Sequence, residues 1–187
     1  MSKRNQILDA ALILFMANGF EKTPTSAISK AAGVATGTLF HHFKTKEELI
    51  SALYFDIKMD IRNRIFPSLS TTDDLKARLF ALFESIIDWS LENPDQYHFM
   101  IQFSESAFIS PNTRERVEEA FEEIPAMISE GFKQGVLHDL PEDLLCRQLY
   151  SLLMSSAGYL LDNKALWQQQ NFRQSLLQSF WKAMARV

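Results

Sequence analysis

The chain has 187 residues, which suits one medium domain, or a small head joined to a larger body. A hydrophobic fraction of 47%, with 15 Phe, 7 Met and 3 Trp, excludes a disordered chain, and 6 Gly and 6 Pro are too few to punctuate a many-stranded sheet, so an all-α fold is the default. The net charge of −4 opposes a nucleic-acid partner until its distribution is read: residues 1–46 hold six Lys or Arg against Asp9 and Glu21, a net +4, leaving −8 for the rest. A basic head on an acidic body suits a polyanion-facing end; chance variation over a solvated surface is the alternative.

The first helix is expected over Lys3–Ala17, because Ile7, Leu8, Ala11, Leu14 and Phe15 recur on one helical face and Asn18-Gly19 supplies a stop. Phe20 then packs back. Thr25 can cap a short second helix with Ile28, Ala31 and Ala32 inward, ended by a left-handed Gly33, with Val34 filling the corner. Thr36 starts a third helix running through Phe43. Thr45-Lys46-Glu47-Glu48 has the form of a capping box opening a fourth over 45–66, which Pro67 stops. A Ser-Thr-Asp loop at 68–74 follows. Further helices are expected at 73–92, 94–108, 112–134, 142–162 and 169–186, about nine in all. Pro94 and Pro111 each follow a cap-forming residue, Asn93 and Ser110. Pro125 should kink its helix and free a carbonyl, and Gly131–Pro141 reads as a helix end and connector.

Cys146 has no partner for an internal disulfide and no Cys or His neighbour at metal-ligand spacing, which fits a reducing compartment, the cytoplasm, and a place in a helix core. Lys3 and Arg4 ahead of the apolar run Ala10–Ala17 imitate a secretory leader, but Asp9 opens that run and no small-residue cleavage pattern follows. No stretch reaches the roughly 18 uninterrupted apolar residues of a membrane span, so no membrane partner is expected.

The stretch "AGVATGTLFHHFKTKEEL", Ala32–Leu49, carries the chemistry. With about 100° of rotation per residue, Leu39 and Phe43 form a narrow apolar seam while Thr38, His41 and His42 face away from it. A short helix with small residues at its start, a tight turn before it and an exposed hydroxyl and imidazole face is what entry into a DNA major groove requires. Adjacent imidazoles diverge, whereas helix-borne chelators sit at i and i+4, so no metal is assigned. Gly33 and Gly37 lack phosphate-loop spacing, and neither G-x-S-x-G nor H-E-x-x-H occurs, which leaves an enzyme without machinery: no catalytic residue and no cofactor are assigned.

"TSAISKAAGVATGTLFHHFKTKEELISAL", Thr25–Leu53, closely resembles the helix-turn-helix signature of the TetR (tetracycline-repressor-like) transcriptional regulators. The pattern is distinctive in Gly33-Val34, Gly37, Leu39-Phe40, His42-Phe43 and Lys46-Glu47-Glu48-Leu49. The resemblance implies a DNA-binding head over 1–48, linked through the helix at 45–66, and a six-helix ligand-binding and dimerisation body over 49–187. It implies a homodimer on a palindromic double-stranded operator, released by a small molecule. Carried over position by position, Thr25 and Ser26 touch the phosphate backbone, Thr36, Thr38, Leu39 and His41 lie at or near base edges, and His42 and Lys46 hold phosphates. Phe40 departs from the family, which commonly has Tyr there, and offers no hydroxyl to a phosphate. A thymine-methyl contact by Leu39 or Phe40 stands against Leu39 packing inward and Phe40 flanking the seam.

In the body, "LYSLLMSSAGYLL" (Leu149–Leu161) and "FRQSLLQSFWKAM" (Phe172–Met184) are apolar over wide arcs. Small Ser155, Ser156, Ala157 and Gly158 allow close helix approach, so the helices at 142–162 and 169–186, with Leu152 and Phe180, are expected to form the dimer bundle; an intrachain core is the alternative. Trp89, Tyr97 and Phe103 lead a set of aromatic and Met residues that suits an apolar or aromatic effector as well as an ordinary core.

Overall fold

In the computed structural model the described residues are 2–69, 72 and 74–186, and they form eleven α-helices rather than about nine. These are α1 (Lys3–Asn18), α2 (Thr25–Ala31), α3 (Thr36–His42), α4 (Lys46–Leu69), α5 (Leu75–Glu92) and α6 (Pro94–Phe103), then α7 (Pro111–Ala120), α8 (Glu123–Lys133), α9 (Glu142–Asp162), α10 (Lys164–Trp167) and α11 (Gln170–Met184). Of the loop expected at 68–74, positions 70, 71 and 73 lie outside the described residues, as does the expected helix start at 73.

Three boundaries differ from expectation for identifiable reasons. Pro67 does not stop α4: Ile57, Ile61, Ile65 and Leu69 share a four-residue spacing and are all buried, so one more turn covers Leu69 while the proline forgoes a single helix bond near the end. Instead of continuing to 108, α6 stops at Phe103, where the Arg114 guanidinium takes the carbonyl oxygens of Ser104 and, at 2.6 Å, Ser106. Those carbonyls lie just past the helix, so the guanidinium holds the turn that leaves it. The helix expected over 112–134 is two helices, with Pro125 in the first turn of α8, where its missing N–H costs nothing, and Arg62 Nε donating to Ala120 O at 2.8 Å at the end of α7. The additional short α10 is anchored by buried Trp167, whose indole N–H donates to Asp88 Oδ1 at 2.6 Å.

Backbone contacts divide the chain into two compact units, Met1–Met59 with Asp95–Val117, and Asp60–Pro94 with Glu118–Val187. In the first, α1 begins under a Ser2 cap on Asn5 N–H and ends at Gly19, which has φ 79°; Phe20 then packs on Phe15, Phe103 and Phe108, with the Phe108 ring centroid 4.1 Å away. Aromatic packing thus joins the turn after α1 to the end of α6.

In the second unit, α5 presents Leu79, Phe83 and Ile87 to the interior, and Phe180 of α11 stacks on Phe83 at 4.8 Å between centroids. Phe180 is 3% exposed, so it belongs to the chain's own core and not to a surface awaiting a second copy. Close approach around α8 depends on Gly131, where a Cβ would lie 2.3 Å from Leu75 Cδ2. A lone antiparallel bridge between Leu137 and Ala185 pins the chain after α11. Cys146 is half-buried and not fully in a core; burial, helped by Glu142 and Asp143, pushes its thiol pKa up.

Candidate nucleic-acid interface

The turn between α2 and α3 is set by one glycine and two hydroxyls. Gly33 has φ 66°, a left-handed conformation that lets Val34 N–H return to Ser29 O at 3.0 Å. Buried Ser29 donates to Ser26 O at 3.0 Å and pairs with Thr36 Oγ1 at 3.1 Å, so one hydroxyl joins the body of α2 to the first residue of α3. Thr25 is the first helical residue of α2 and not its cap: Pro24 holds that place, Ala35 holds it on α3, and neither offers a side-chain cap. The leading N–H groups of both helices therefore have no side-chain cap. Of the residues expected inward on α2, Ile28 is fully buried, Ala32 is half-buried and Ala31 is exposed.

On α3 the apolar seam consists of Leu39 and Phe43, both buried, with His41 and His42 exposed and Thr38 half-buried. The two imidazoles splay, their ring centroids 5.5 Å apart and their planes at 74°. Leu39 is 0% exposed and has no surface to give a base, so its expected place at the base edges is corrected to the seam, while Phe40, 40% exposed, is the apolar group on the outer side. Thr36 and Ser26 are exposed and Thr25 is half-buried.

Six cations gave the head its positive balance, and two of them are engaged internally. Arg4 forms a bidentate pair with Asp56 of α4, at 2.6 and 3.0 Å, and the hydrogen bond to that carboxylate raises the guanidinium pKa. Lys46 Nζ lies 2.8 Å from Phe20 O, 3.3 Å from Thr23 O and 3.4 Å from Glu21 O, and 4.3 Å from the Phe20 ring centroid. Its ammonium is thus engaged by carbonyls of the turn between α1 and α2, while the residue stays half-buried. Exposed Lys3, Lys22, Lys30 and Lys44 make no ion pair among the described residues and carry the outward positive charge. In sequence they are indistinguishable from Arg4 and Lys46; only the partners separate them.

The α4 capping box is displaced by one residue. Thr45 Oγ1 accepts Glu48 N–H at 3.0 Å, but the Glu48 carboxylate returns to Lys44 N–H, at 2.5 Å, and not to Thr45. That fixes the corner between the end of α3 and the start of α4.

The three effector candidates do not come together in one unit. Trp89 belongs to the second and donates its indole N–H to Asp60 Oδ2 at 2.7 Å. Tyr97 and Phe103 belong to the first, where Phe103 stacks on Phe99 at 4.7 Å. All three are buried.

Known proteins match over the whole chain. Residues 7–53 fit the family model for bacterial regulatory proteins of the tetR family, and residues 54–186 the tetracyclin repressor-like C-terminal domain. A crystal structure of a tetR family transcription regulator from Shewanella sp. PV-4 superposes with a TM-score of 0.92 at 32% identity, covering 100% of both chains. FadR from Bacillus subtilis, solved with stearoyl-CoA, superposes with a TM-score of 0.72 at 20% identity over 95% of each chain. The HTH-type transcriptional regulator UidR of Escherichia coli K12 is 46% identical over 50 residues, which span 27% of this chain and only 26% of that relative. KstR2 of Rhodococcus jostii, a transcriptional repressor, is 29% identical over 51% of this chain and 45% of its own length. The chain belongs to the TetR family of DNA-binding transcriptional regulators.

Proposed function

We propose that the protein is a repressor that binds a palindromic operator as a homodimer and is released by a small apolar or aromatic effector. The observation that carries this reading is the division of α3 into a buried Leu39–Phe43 seam and an exposed polar side, beside two uncapped helix starts and four outward lysines. Thr36, Thr38 and His41 serve base edges; backbone N–H groups at Thr25 and Ser26, with His42, serve phosphates; Phe40 supplies apolar contact such as a thymine methyl. In a bacterium the site of action is the cytoplasm, where the DNA is, and among the described residues no helix is long and apolar enough to cross a membrane.

Exposed Leu144 and Tyr159, which lie about 60° apart around α9, and the amide and hydroxyl face of α11 formed by Asn171, Gln174, Ser175 and Gln178 support dimerisation through these two helices. The effector belongs in the C-terminal domain, with Trp89 in the second unit and, separately, Tyr97 and Phe103 in the first as the leading candidates; stearoyl-CoA on the structurally similar FadR supports an apolar ligand. Since all three rings are covered, the ligand must select a more open conformation. Helix α4 runs from residue 46 to residue 69 and contributes to both units, so it can transmit that selection to α3. A coupling of about 1 to 3 kcal/mol weakens operator binding roughly 5- to 150-fold. Selection from a random DNA pool tests the reading: an inverted repeat should be enriched, and absence of any enriched sequence refutes it.

A further inference from the structure

We infer that Lys46 is a positioning residue for DNA binding and not a phosphate ligand; the inference rests on the reading of α3 as the recognition helix. The turn from Gly19 to Pro24 joins α1 to α2 and leaves several backbone carbonyls without helix partners. Thr23, buried at 1% exposure, has its one hydroxyl donor between Gly19 O at 2.8 Å and Leu14 O of α1 at 3.1 Å, which ties the start of the turn to α1. Lys46 donates to the carbonyls of Phe20, Glu21 and Thr23. Three oxygens around one nitrogen fit the three N–H donors of an ammonium, and the Phe20 ring face adds a cation–π contact.

The place of Lys46 in the chain gives this cluster its consequence. Lys46 is the first residue of α4, directly after the corner that follows α3, while the turn it grips leads into the first residue of α2. Its side chain therefore closes a loop around the helix-turn-helix, from the end of the recognition helix back to the start of its supporting helix. Phe20 is held on its other side by Phe108 and Phe15, so the turn is a fixed reference and the ammonium transmits that position to α4. Without the ammonium, Glu21 O and Thr23 O lose this donor, Phe20 O keeps only the Thr23 N–H at 3.3 Å, and α2 and α3 lose a constraint on their joint presentation to DNA.

Two substitutions separate this role from a phosphate contact, with an inverted-repeat duplex selected by the wild-type protein as probe. Lys46→Met should bind about tenfold or more weakly, with the slope of log K against log salt unchanged and faster amide exchange in residues 20–25. A phosphate ligand present twice per dimer would instead lower the slope by about 1.8. Lys46→Arg keeps the charge, but a planar fork cannot reproduce the three-carbonyl arrangement, so it should also weaken binding at unchanged slope; a phosphate ligand would tolerate it. Thermal melting checks that both variants fold, and Lys46→Arg remains decisive if Lys46→Met does not. Full affinity in Lys46→Arg, or a reduced slope in Lys46→Met, overturns the inference. Failure of the wild-type protein to bind any selected duplex sinks the DNA reading itself.

Discussion

Asp56→Asn should make DNA binding more salt-dependent, although Asp56 is not assigned to the interface. The carboxylate holds Arg4 at 2.6 and 3.0 Å, and the two side chains are 40% and 38% exposed, so the pair is screened and is worth about 0.5 to 1 kcal/mol. Its loss should lower the melting temperature by about 1 to 4 °C. The larger effect is on DNA. Four outward lysines per subunit allow about eight phosphate contacts per dimer, a slope near −7, and a loss of about four orders of magnitude in affinity between 50 and 200 mM salt. Two released Arg4 side chains at the first turn of α1 would add about 1.8 to that slope, roughly another tenfold across the same interval. Fluorescence anisotropy titrations at four or five salt concentrations measure it. Glu47→Gln is the control, because it removes the same charge from the start of α4 without touching a partner of Arg4. Equal slopes in the two variants would show that Arg4 does not reach DNA when freed, and would refute the reasoning.

Thr38→Ala should cost about 1 to 3 kcal/mol on the selected operator while leaving random-sequence binding nearly unchanged in parallel titrations; equal losses would reassign Thr38 to the backbone. Tyr159→Glu, at a side chain 55% exposed, should yield a folded monomer in sedimentation, whereas Phe180→Glu, in the core beside Phe83, should unfold the second unit; a dimeric Tyr159→Glu protein refutes the placement of the interface. Burial lowers the Lys58 pKa from 10.5 to about 8, so between those values the unfolded chain binds more protons than the folded one and stability rises with pH. Unfolding free energies from urea titrations should climb by up to about 3 kcal/mol across that window, and the climb should flatten in Lys58→Met; identical pH profiles in the two proteins would refute it.

Elements whose ends depend on backbone stereochemistry were legible in the sequence. Gly19 and Gly33 take positive φ where a stop was expected, Pro94 and Pro111 begin their helices, and α9 runs over Glu142–Asp162 as its apolar spacing requires. Ends that depend on a distant side chain were not. The turn that follows α6 is held by Arg114, ten residues beyond Ser104, and the end of α7 by Arg62, fifty-eight residues back, and neither arginine differs in sequence from any solvated one. Pro67 misled for a related reason, since its penalty is local and small while the burial of Leu69 that outweighs it is tertiary.

The interface divides along the same line. Which residues of α3 face inward follows from helical rotation alone, so the burial of Leu39 and Phe43 and the exposure of both histidines needed only the spacing. A lysine reveals nothing of this kind, because its long stem lets one Cα position serve either solvent or an internal carbonyl cluster. Lys44 and Lys46 are two residues apart in the same corner, yet one points to solvent and the other closes the turn at Phe20–Thr23. A count of basic residues therefore overstates the charge available to DNA by the cations the fold consumes, here Arg4 and Lys46 out of six. That surplus makes the salt slope the more discriminating measurement: it counts the cations that reach phosphate, whereas affinity at one salt concentration mixes them with those that hold the helices in place.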